Sequence, residues 1–146
     1  MSGDTLTGSC LCGAITFEVH QDRTGVDACH CRMCRTWSGG PLMTVRAVKR
    51  DMIALEGAEH LSTYRSSEWA ERTFCSRCGS NLWFAFLPDN HISFLAGLFD
   101  LPDGYEMREQ IFIDEKPEYY DFAQDTPRKT GAEIIAEAKE AGFDLG

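Results

Sequence analysis

Seven cysteines in three short groups constrain this chain more than any other feature of its sequence. The groups are Cys10-Leu11-Cys12, Cys29-His30-Cys31-Arg32-Met33-Cys34 and Cys75-Ser76-Arg77-Cys78. A closed disulfide framework uses an even number of cysteines, so the odd count argues against one. Residues 1–7 show neither the basic nor the apolar segment of a signal peptide, and we expect a reducing cytoplasmic location where cysteines stay thiols. The cysteines are therefore predicted to bind metal.

The first and third groups together predict a structural zinc site. Gly79 follows Cys78, and a C-x-x-C-G turn is typical of a zinc-ribbon-like knuckle, because glycine accepts the left-handed conformation that follows the second cysteine. Cys10 and Cys12 are two residues apart, so both side chains leave the same face of an extended chain. Cys10, Cys12, Cys75 and Cys78 can then form a closed tetrahedral site that holds distant segments together.

The middle group has the spacing of a site with an open position. Cys29, Cys31 and Cys34 lie close enough in sequence to bind one ion unaided, and three protein ligands plus a vacant fourth position are typical of catalytic zinc. His30 points away from the face that Cys29 and Cys31 share, and it is not counted as a ligand. Three thiolates favour a soft fourth ligand over water. The group is therefore predicted to capture and activate a substrate thiol.

Two alternatives to this division remain open at the level of spacing. Cys29 and Cys31 could pair with Cys75 and Cys78 instead. The shell of the middle group could also be closed by a carboxylate or by a histidine, which would make the site purely structural. The candidate histidines are His20, His60 and His91.

Short strands account for most of the predicted structure. Ile15, Phe17 and Val19 alternate with polar residues, the period-two pattern of a half-buried strand. Residues 82–86 are apolar on both faces, as expected for a central strand. Further strands are predicted at residues 42–48, 52–55, 70–74, 81–87 and 91–96. Turn signals about every ten residues predict a mainly β fold, either a sandwich or a related open pair of sheets.

Only the C-terminal segment has a convincing helical pattern. Thr130 and Glu133 have the spacing of a capping box, and Gly142 suits the position after the last helical turn. A short helix is therefore predicted at about residues 131–141. Nothing resembling a linker interrupts the chain, and residues 1–146 are predicted to form a single domain.

The formal net charge of −9 and the isoelectric point near 4.8 argue against a nucleic-acid partner, whose phosphates require a basic face. Apolar runs also fall short of the roughly 18 residues that cross a bilayer, so no membrane span is expected. Three aromatic residues, Trp69, Trp83 and Phe84, are predicted to lie in the core. The remaining candidates are therefore small-molecule chemistry and protein binding.

The cysteine groups, in this order, resemble the glutathione-dependent formaldehyde-activating enzyme family, which also includes the centromere protein V group. The resemblance runs through residues 8–15, 29–34 and 72–80, and continues more weakly at residues 96–100 and in a strand around Ile111. It covers roughly residues 5–120. One departure is Tyr119, which stands where many relatives carry tryptophan. The chain is also shorter than the enzyme that named the family.

Membership of this family implies a fold of twisted antiparallel β-sheets, sometimes called a β-tent, and carbon–sulfur lyase chemistry on glutathione and formaldehyde. It also implies two zinc ions per chain. The implied structural ligands are Cys10, Cys12, Cys75 and Cys78, and the implied catalytic ligands are Cys29, Cys31 and Cys34. The resemblance thus selects one of the divisions that spacing leaves open.

Arg32 and Arg35 flank Cys34 and could bind the carboxylates of a glutathione-like thiol by bidentate pairing. The alternative is that they bond the cysteine sulfurs or face water. The leading interpretation of the whole chain is a lyase or synthase that joins a small thiol to an aldehyde, or reverses that addition. The alternative is a non-catalytic zinc module that binds a protein or a small thiol. A reductase of the methionine-sulfoxide type ranks last, because it needs a free nucleophilic cysteine.

Overall fold

Short strands build three sheets in the computed structural model, which describes residues 4–145. Two α-helices accompany them, α1 (Arg32–Ser38) and α2 (Gly131–Glu140). In chain order the strands are β1 (Asp4–Ser9), β2 (Thr16–Gln21), β3 (Val26–Cys29), β4 (Leu42–Val45), β5 (Val48–Lys49), β6 (Ile53–Glu56), β7 (Leu61–Ser67), β8 (Ala70–Cys75), β9 (Asn81–Phe86), β10 (His91–Phe94), β11 (Met107–Ile111) and β12 (Arg128–Lys129). The predicted mainly β fold with a short C-terminal helix is confirmed.

The sheets differ in the direction of their strands. The first has the order β1-β2-β6 and the second the order β5-β10-β9-β8-β7, and both are antiparallel. The third has the order β12-β11-β3-β4, in which β11 runs parallel to both β3 and β12. Parallel neighbours need long connections, and most of the chain lies between β3 and β11. The third sheet thereby joins the segment before α1 to the C-terminal part of the chain.

Aromatic side chains fill the core between the first and second sheets. The ring of Phe17 on β2 lies 4.8 Å from that of Phe94 on β10, and Trp83 on β9 lies 5.1 Å from the same ring. Leu82 and Trp83 are adjacent in sequence and both buried. Since neighbouring residues of a strand face opposite sides, both faces of β9 are covered at this point, and β9 is the middle strand of its sheet as predicted, although Phe84 and Phe86 are only partly buried. Rings of this size dominate core energetics, and a truncation such as Phe94→Ala costs about 3–5 kcal/mol.

The two helices differ in how visible they are in the sequence. α2 begins after the cap Thr130, whose hydroxyl accepts from the Glu133 amide while the Glu133 carboxylate accepts from the Thr130 amide. Gly142 follows its end with a φ of 96°. Both features were predicted. α1 was not predicted, because it is only seven residues long and uses the sulfur of Cys31 as its cap. Neither helix is both long and apolar enough to cross a membrane.

Two cysteine clusters as candidate metal sites

Four sulfurs from two hairpins meet in the first cluster, which we call the four-cysteine cluster. The ligand atoms of Cys10, Cys12, Cys75 and Cys78 all lie within 4.8 Å of one another. Cys12 contributes from the β1–β2 turn, 3.8 Å from the sulfur of Cys75 at the end of β8, although 63 residues separate them in sequence. Gly79 takes a φ of 79° at the second turn, as the C-x-x-C-G pattern predicts. The structure thus brings together the four residues that the family implies for the structural site.

Polar groups around the four-cysteine cluster point at its sulfurs. The Ile15 amide donates to the Cys10 sulfur at 3.4 Å. Ser80 bonds the Cys78 sulfur through its hydroxyl at 3.2 Å, and the same oxygen accepts from the Leu11 amide at 3.0 Å. Hydrogen bonds from the hydroxyl and then the amide of Ser80 lower the pKa of the Cys78 thiol to about 5. Since the thiolate is the metal-binding form of cysteine, these contacts favour a bound cation.

The second cluster, the three-cysteine cluster, comes from one continuous segment. Cys29 ends β3, Cys31 caps α1 and Cys34 lies in its first turn, and their three sulfurs lie within 4.8 Å of one another. The Cys34 amide donates to the Cys31 sulfur at 3.4 Å. Cys34 is buried, whereas Cys29 and Cys31 are partly exposed. The short helix therefore turns the third sulfur back towards the other two.

No histidine or carboxylate joins the three sulfurs within residues 4–145. His30, between two of the cysteines, is fully buried and points elsewhere. Its Nε2 lies 2.9 Å from Gln110 Oε1 and its Nδ1 lies 2.8 Å from the Tyr120 hydroxyl. His91 bonds Asp89 instead. The structure also keeps Cys29 and Cys31 apart from the cluster that contains Cys75 and Cys78, so the alternative pairing is not formed.

Charge within the three-cysteine cluster is unevenly shared. Hydrogen bonds from Cys29 and Cys34 lower the pKa of the Cys31 thiol to about 2, and the positive charge of Arg72 acts in the same direction. Hydrogen bonds with Cys31 and Cys34, together with burial, raise the pKa of the Cys29 thiol. Mutual hydrogen bonding thus favours the thiolate at Cys31, and a bound cation would favour it at all three sulfurs.

Arg72 was not singled out from the sequence. It lies on β8, only 3% exposed, and both terminal nitrogens of its guanidinium donate to the Cys34 sulfur at 3.7 Å. Its Nε donates to the Ser66 hydroxyl at 3.2 Å. The rings of Trp37 and Phe84 lie 5.3 Å and 5.2 Å from the guanidinium carbon. Alternate residues of a strand share one face, so Arg72 lies between apolar Ala70 and Phe74 on the same face of β8. A charged residue at such a position was the sequence signal that could have identified it.

The aromatic residues expected in the core divide between two environments. Trp83 belongs to the main core, as predicted. Trp69 and Phe84 are only partly buried and lie outside that cluster, with their rings 6.5 Å apart. The prediction was wrong for these two, because Phe84 leaves the face of β9 opposite to Trp83 and there contacts Arg72.

The two arginines predicted to bind substrate lie on α1. Arg35 is partly buried, and its Nε donates to the His30 carbonyl at 2.9 Å. The side chain of Arg32 is exposed, while its amide donates to the Glu115 carboxylate at 2.9 Å. The structure places both beside the three-cysteine cluster, and Arg35 already helps to fix the backbone there.

Residues 5–115 match the family described as glutathione-dependent formaldehyde-activating enzyme. The chain belongs to this family. An uncharacterized lyase of Schizosaccharomyces pombe is 34% identical over 129 residues, which cover 88% of this chain and 93% of that protein. A Halomonas elongata protein named for the same family is 38% identical over 85 residues, covering 53% of this chain and 54% of that protein. The expected family is confirmed, and with it the expectation that the chain is an enzyme of this type.

The fold also has a solved counterpart. A crystal structure of a Rhodobacter sphaeroides protein aligns with a TM-score of 0.57 at 19% sequence identity, over 69% of this chain and 98% of the other. At this identity the likeness supports the β architecture alone.

Proposed function

We propose that this chain is a zinc-dependent carbon–sulfur lyase that joins a small glutathione-like thiol to an aldehyde such as formaldehyde, or cleaves the adduct. The observation that carries the proposal is the three-cysteine cluster, which offers three sulfurs and no fourth protein ligand within the described residues. Family membership supports the thiol and the aldehyde as substrates. The reducing cytoplasm is the proposed location, because it keeps the seven cysteines as thiols.

The donor sets fit zinc. Thiolate sulfur is a soft ligand that zinc accepts readily, and four of them make a closed tetrahedral site. The four-cysteine cluster would hold such a structural ion. The three-cysteine cluster would hold a second ion with one position free. Backbone amides at Ile15 and Cys34 and the guanidinium of Arg72 all donate towards sulfur, which is the arrangement that stabilises thiolates rather than thiols.

When bound, the second zinc supplies a soft Lewis acid that lowers the pKa of a thiol in its free position. The residues of the chain hold the ion and bind the substrate at this site. Cys29, Cys31 and Cys34 would hold the ion through three sulfurs and would leave one position for substrate. In the addition, the S–H bond and the π bond of the carbonyl break, while a carbon–sulfur bond and an O–H bond form. No oxidant or reductant is needed.

Three cations lie near His30, the residue between Cys29 and Cys31, although the chain as a whole carries −9. The pKa of His30 is lowered by burial and further by the charges of Lys116, Arg128 and Arg35. Lys116 is paired with Asp121, and the Glu115 carboxylate lies at the amide of Arg32, so the side chains of Arg32 and Arg35 are the cations of α1 that could attract an anionic thiol. We therefore propose that Arg32 and Arg35 bind the carboxylates of the substrate, which explains how an acidic protein can take an acidic tripeptide.

Calorimetry tests the thiol-binding step. Glutathione is titrated into zinc-loaded protein in two buffers of different ionisation enthalpy, which counts the protons released on binding. We expect about one proton per thiol at pH 7, because the bound thiol must ionise. Binding without proton release, or binding unchanged in a Cys34→Ser variant, would show that the thiol does not occupy the free metal position.

An activity assay separates the enzyme from the non-catalytic alternative. The rate at which formaldehyde and glutathione equilibrate with their adduct is measured with and without protein, by exchange spectroscopy. The proposal expects catalysis that disappears on zinc removal and returns with zinc. Thiol binding with no acceleration would instead indicate a zinc module that holds a thiol or a protein partner.

A further inference from the structure

Arg72 combines a full charge with almost complete burial, and such a group requires a compensating partner. Removing a cation from water is costly unless an anion or several hydrogen-bond acceptors replace the water. Other arginines of this chain meet carboxylates, as Arg23 does with Asp22 and Arg46 with Asp27. Arg72 directs both terminal nitrogens at the sulfur of Cys34 instead. The compensating group of this cation is therefore the three-cysteine cluster.

We propose that Arg72 is a positioning residue of the three-cysteine cluster, which fixes the sulfur of Cys34 and balances the charge of the metal-loaded site. The inference rests on the proposed zinc at this cluster. Three thiolates around one divalent ion leave one net negative charge, and one buried guanidinium neutralises it. A substrate thiolate then meets a neutral site rather than an anionic one, so its approach is not opposed by the ligands.

The geometry requires arginine rather than any cation. A guanidinium is planar and presents parallel donors, so two N–H groups can reach one sulfur while the third donor nitrogen bonds Ser66. Its delocalised charge also suits the aromatic rings of Trp37 and Phe84, which both lie close to it. Lysine would keep the charge but lose the paired contact and the stacking. The contact pins Cys34, which comes from α1, to the neighbouring strand β8.

Metal binding and spectroscopy test this role without relying on activity. Arg72→Met removes the charge and the donors at similar length, Arg72→Lys keeps only the charge, and Arg23→Met is the matched control at an exposed arginine. Each protein is titrated with a zinc chelator, and the sulfur-to-metal absorption of its cobalt-substituted form is recorded. In Arg72→Met we expect the more weakly held ion to lose about 10- to 100-fold in affinity, the usual effect of losing a group that orients a ligand.

The remaining arms decide between positioning and mere packing. Arg72→Lys should recover part of the affinity yet keep a shifted cobalt absorption band, since the paired contact to Cys34 is lost. Wild-type affinity and spectrum in Arg72→Met, or equal weakening of both ions in a folded protein, would overturn the proposal. If Arg72→Met does not fold, an unchanged spectrum in Arg72→Lys overturns it and a shifted one supports it. Two-metal wild-type protein without lyase activity would defeat the proposed function while leaving this inference intact.

Discussion

The two cysteine clusters offer the same ligand atom but differ in how the chain connects their members. The four-cysteine cluster joins two hairpins whose cysteines lie 63 residues apart. The three-cysteine cluster lies within one segment that spans the end of β3 and the first turn of α1. A metal in the first links distant parts of the fold, so its binding energy contributes to folding. A metal in the second would constrain only local backbone, which is compatible with the catalytic role that we propose for it.

The largest expected effect follows from breaking the first cluster. Cys78→Ser leaves three of the four ligands and should remove most of the folding free energy, which for a domain of this kind is about 5–15 kcal/mol. Circular dichroism and thermal melting in the presence of zinc measure the change. A protein that stays folded with an unaltered melting temperature would contradict the structural role of this cluster.

The matched change in the second cluster should spare the fold. Cys34→Ser removes one of three local ligands and weakens the partner of buried Arg72, so we expect a folded but less stable protein whose zinc content falls from two ions per chain to one. Metal analysis beside the same melting curves provides the comparison. Equal loss of fold in Cys34→Ser and Cys78→Ser would mean that both clusters are structural, and one ion in freshly prepared unchelated wild-type protein would refute the two-site arrangement.

The affinity of the second cluster for a substrate thiol should depend on pH. The thiol binds after losing its proton, so below the free thiol pKa of about 8.5 each unit of rising pH should tighten binding by up to about tenfold. Above that value the thiol is already ionised and the dependence should disappear. Dissociation constants for glutathione from pH 6 to pH 9 trace the curve. An affinity that is flat across this range would exclude coupled ionisation.

The smallest effect concerns the support of the four-cysteine cluster. Ser80→Ala removes the hydroxyl that bonds the Cys78 sulfur and the Leu11 amide, and should cost about 1 kcal/mol, or about 2–4 °C in melting temperature. Glutathione binding should stay unchanged. Ser76→Ala is the control, because that hydroxyl bonds a carbonyl at the surface instead of a sulfur. A change in thiol affinity in Ser80→Ala would show that the clusters are coupled.

The elements around the first cluster are easier to predict from the sequence than those around the second. Alternation at Ile15, Phe17 and Val19 and the apolar run in β9 predict strands because packing against a core imposes a period of two. The cap at Thr130 predicts α2 for an equally local reason. The turns that bear the four cysteines adjoin such strands, but their pairing across 63 residues was selected by the family resemblance and not by spacing.

The three-cysteine cluster depends on contacts that local patterns do not encode. α1 is too short to show a helical period, and its cap is a cysteine, which sequence rules do not count among the usual capping residues. Arg72 contacts Cys34, although the two residues are 38 positions apart in sequence. The parallel pairing of β11 with β3 joins segments that are still farther apart in sequence. Parallel strands are not joined by a hairpin turn, so no turn motif predicts this pairing.

That parallel pairing bears on any attempt to transplant the site. The His30 amide donates to the Ile111 carbonyl at 3.1 Å, and the ring of His30 is clamped between Gln110 and Tyr120. The loop bearing Cys29, Cys31 and Cys34 is therefore shaped by a stretch of chain some eighty residues downstream. A peptide or a host scaffold that received only the loop would have the three sulfurs without the framework that aims them. A successful graft would have to include β11 and the segment that contains Tyr120 as a second part of the transplanted chain.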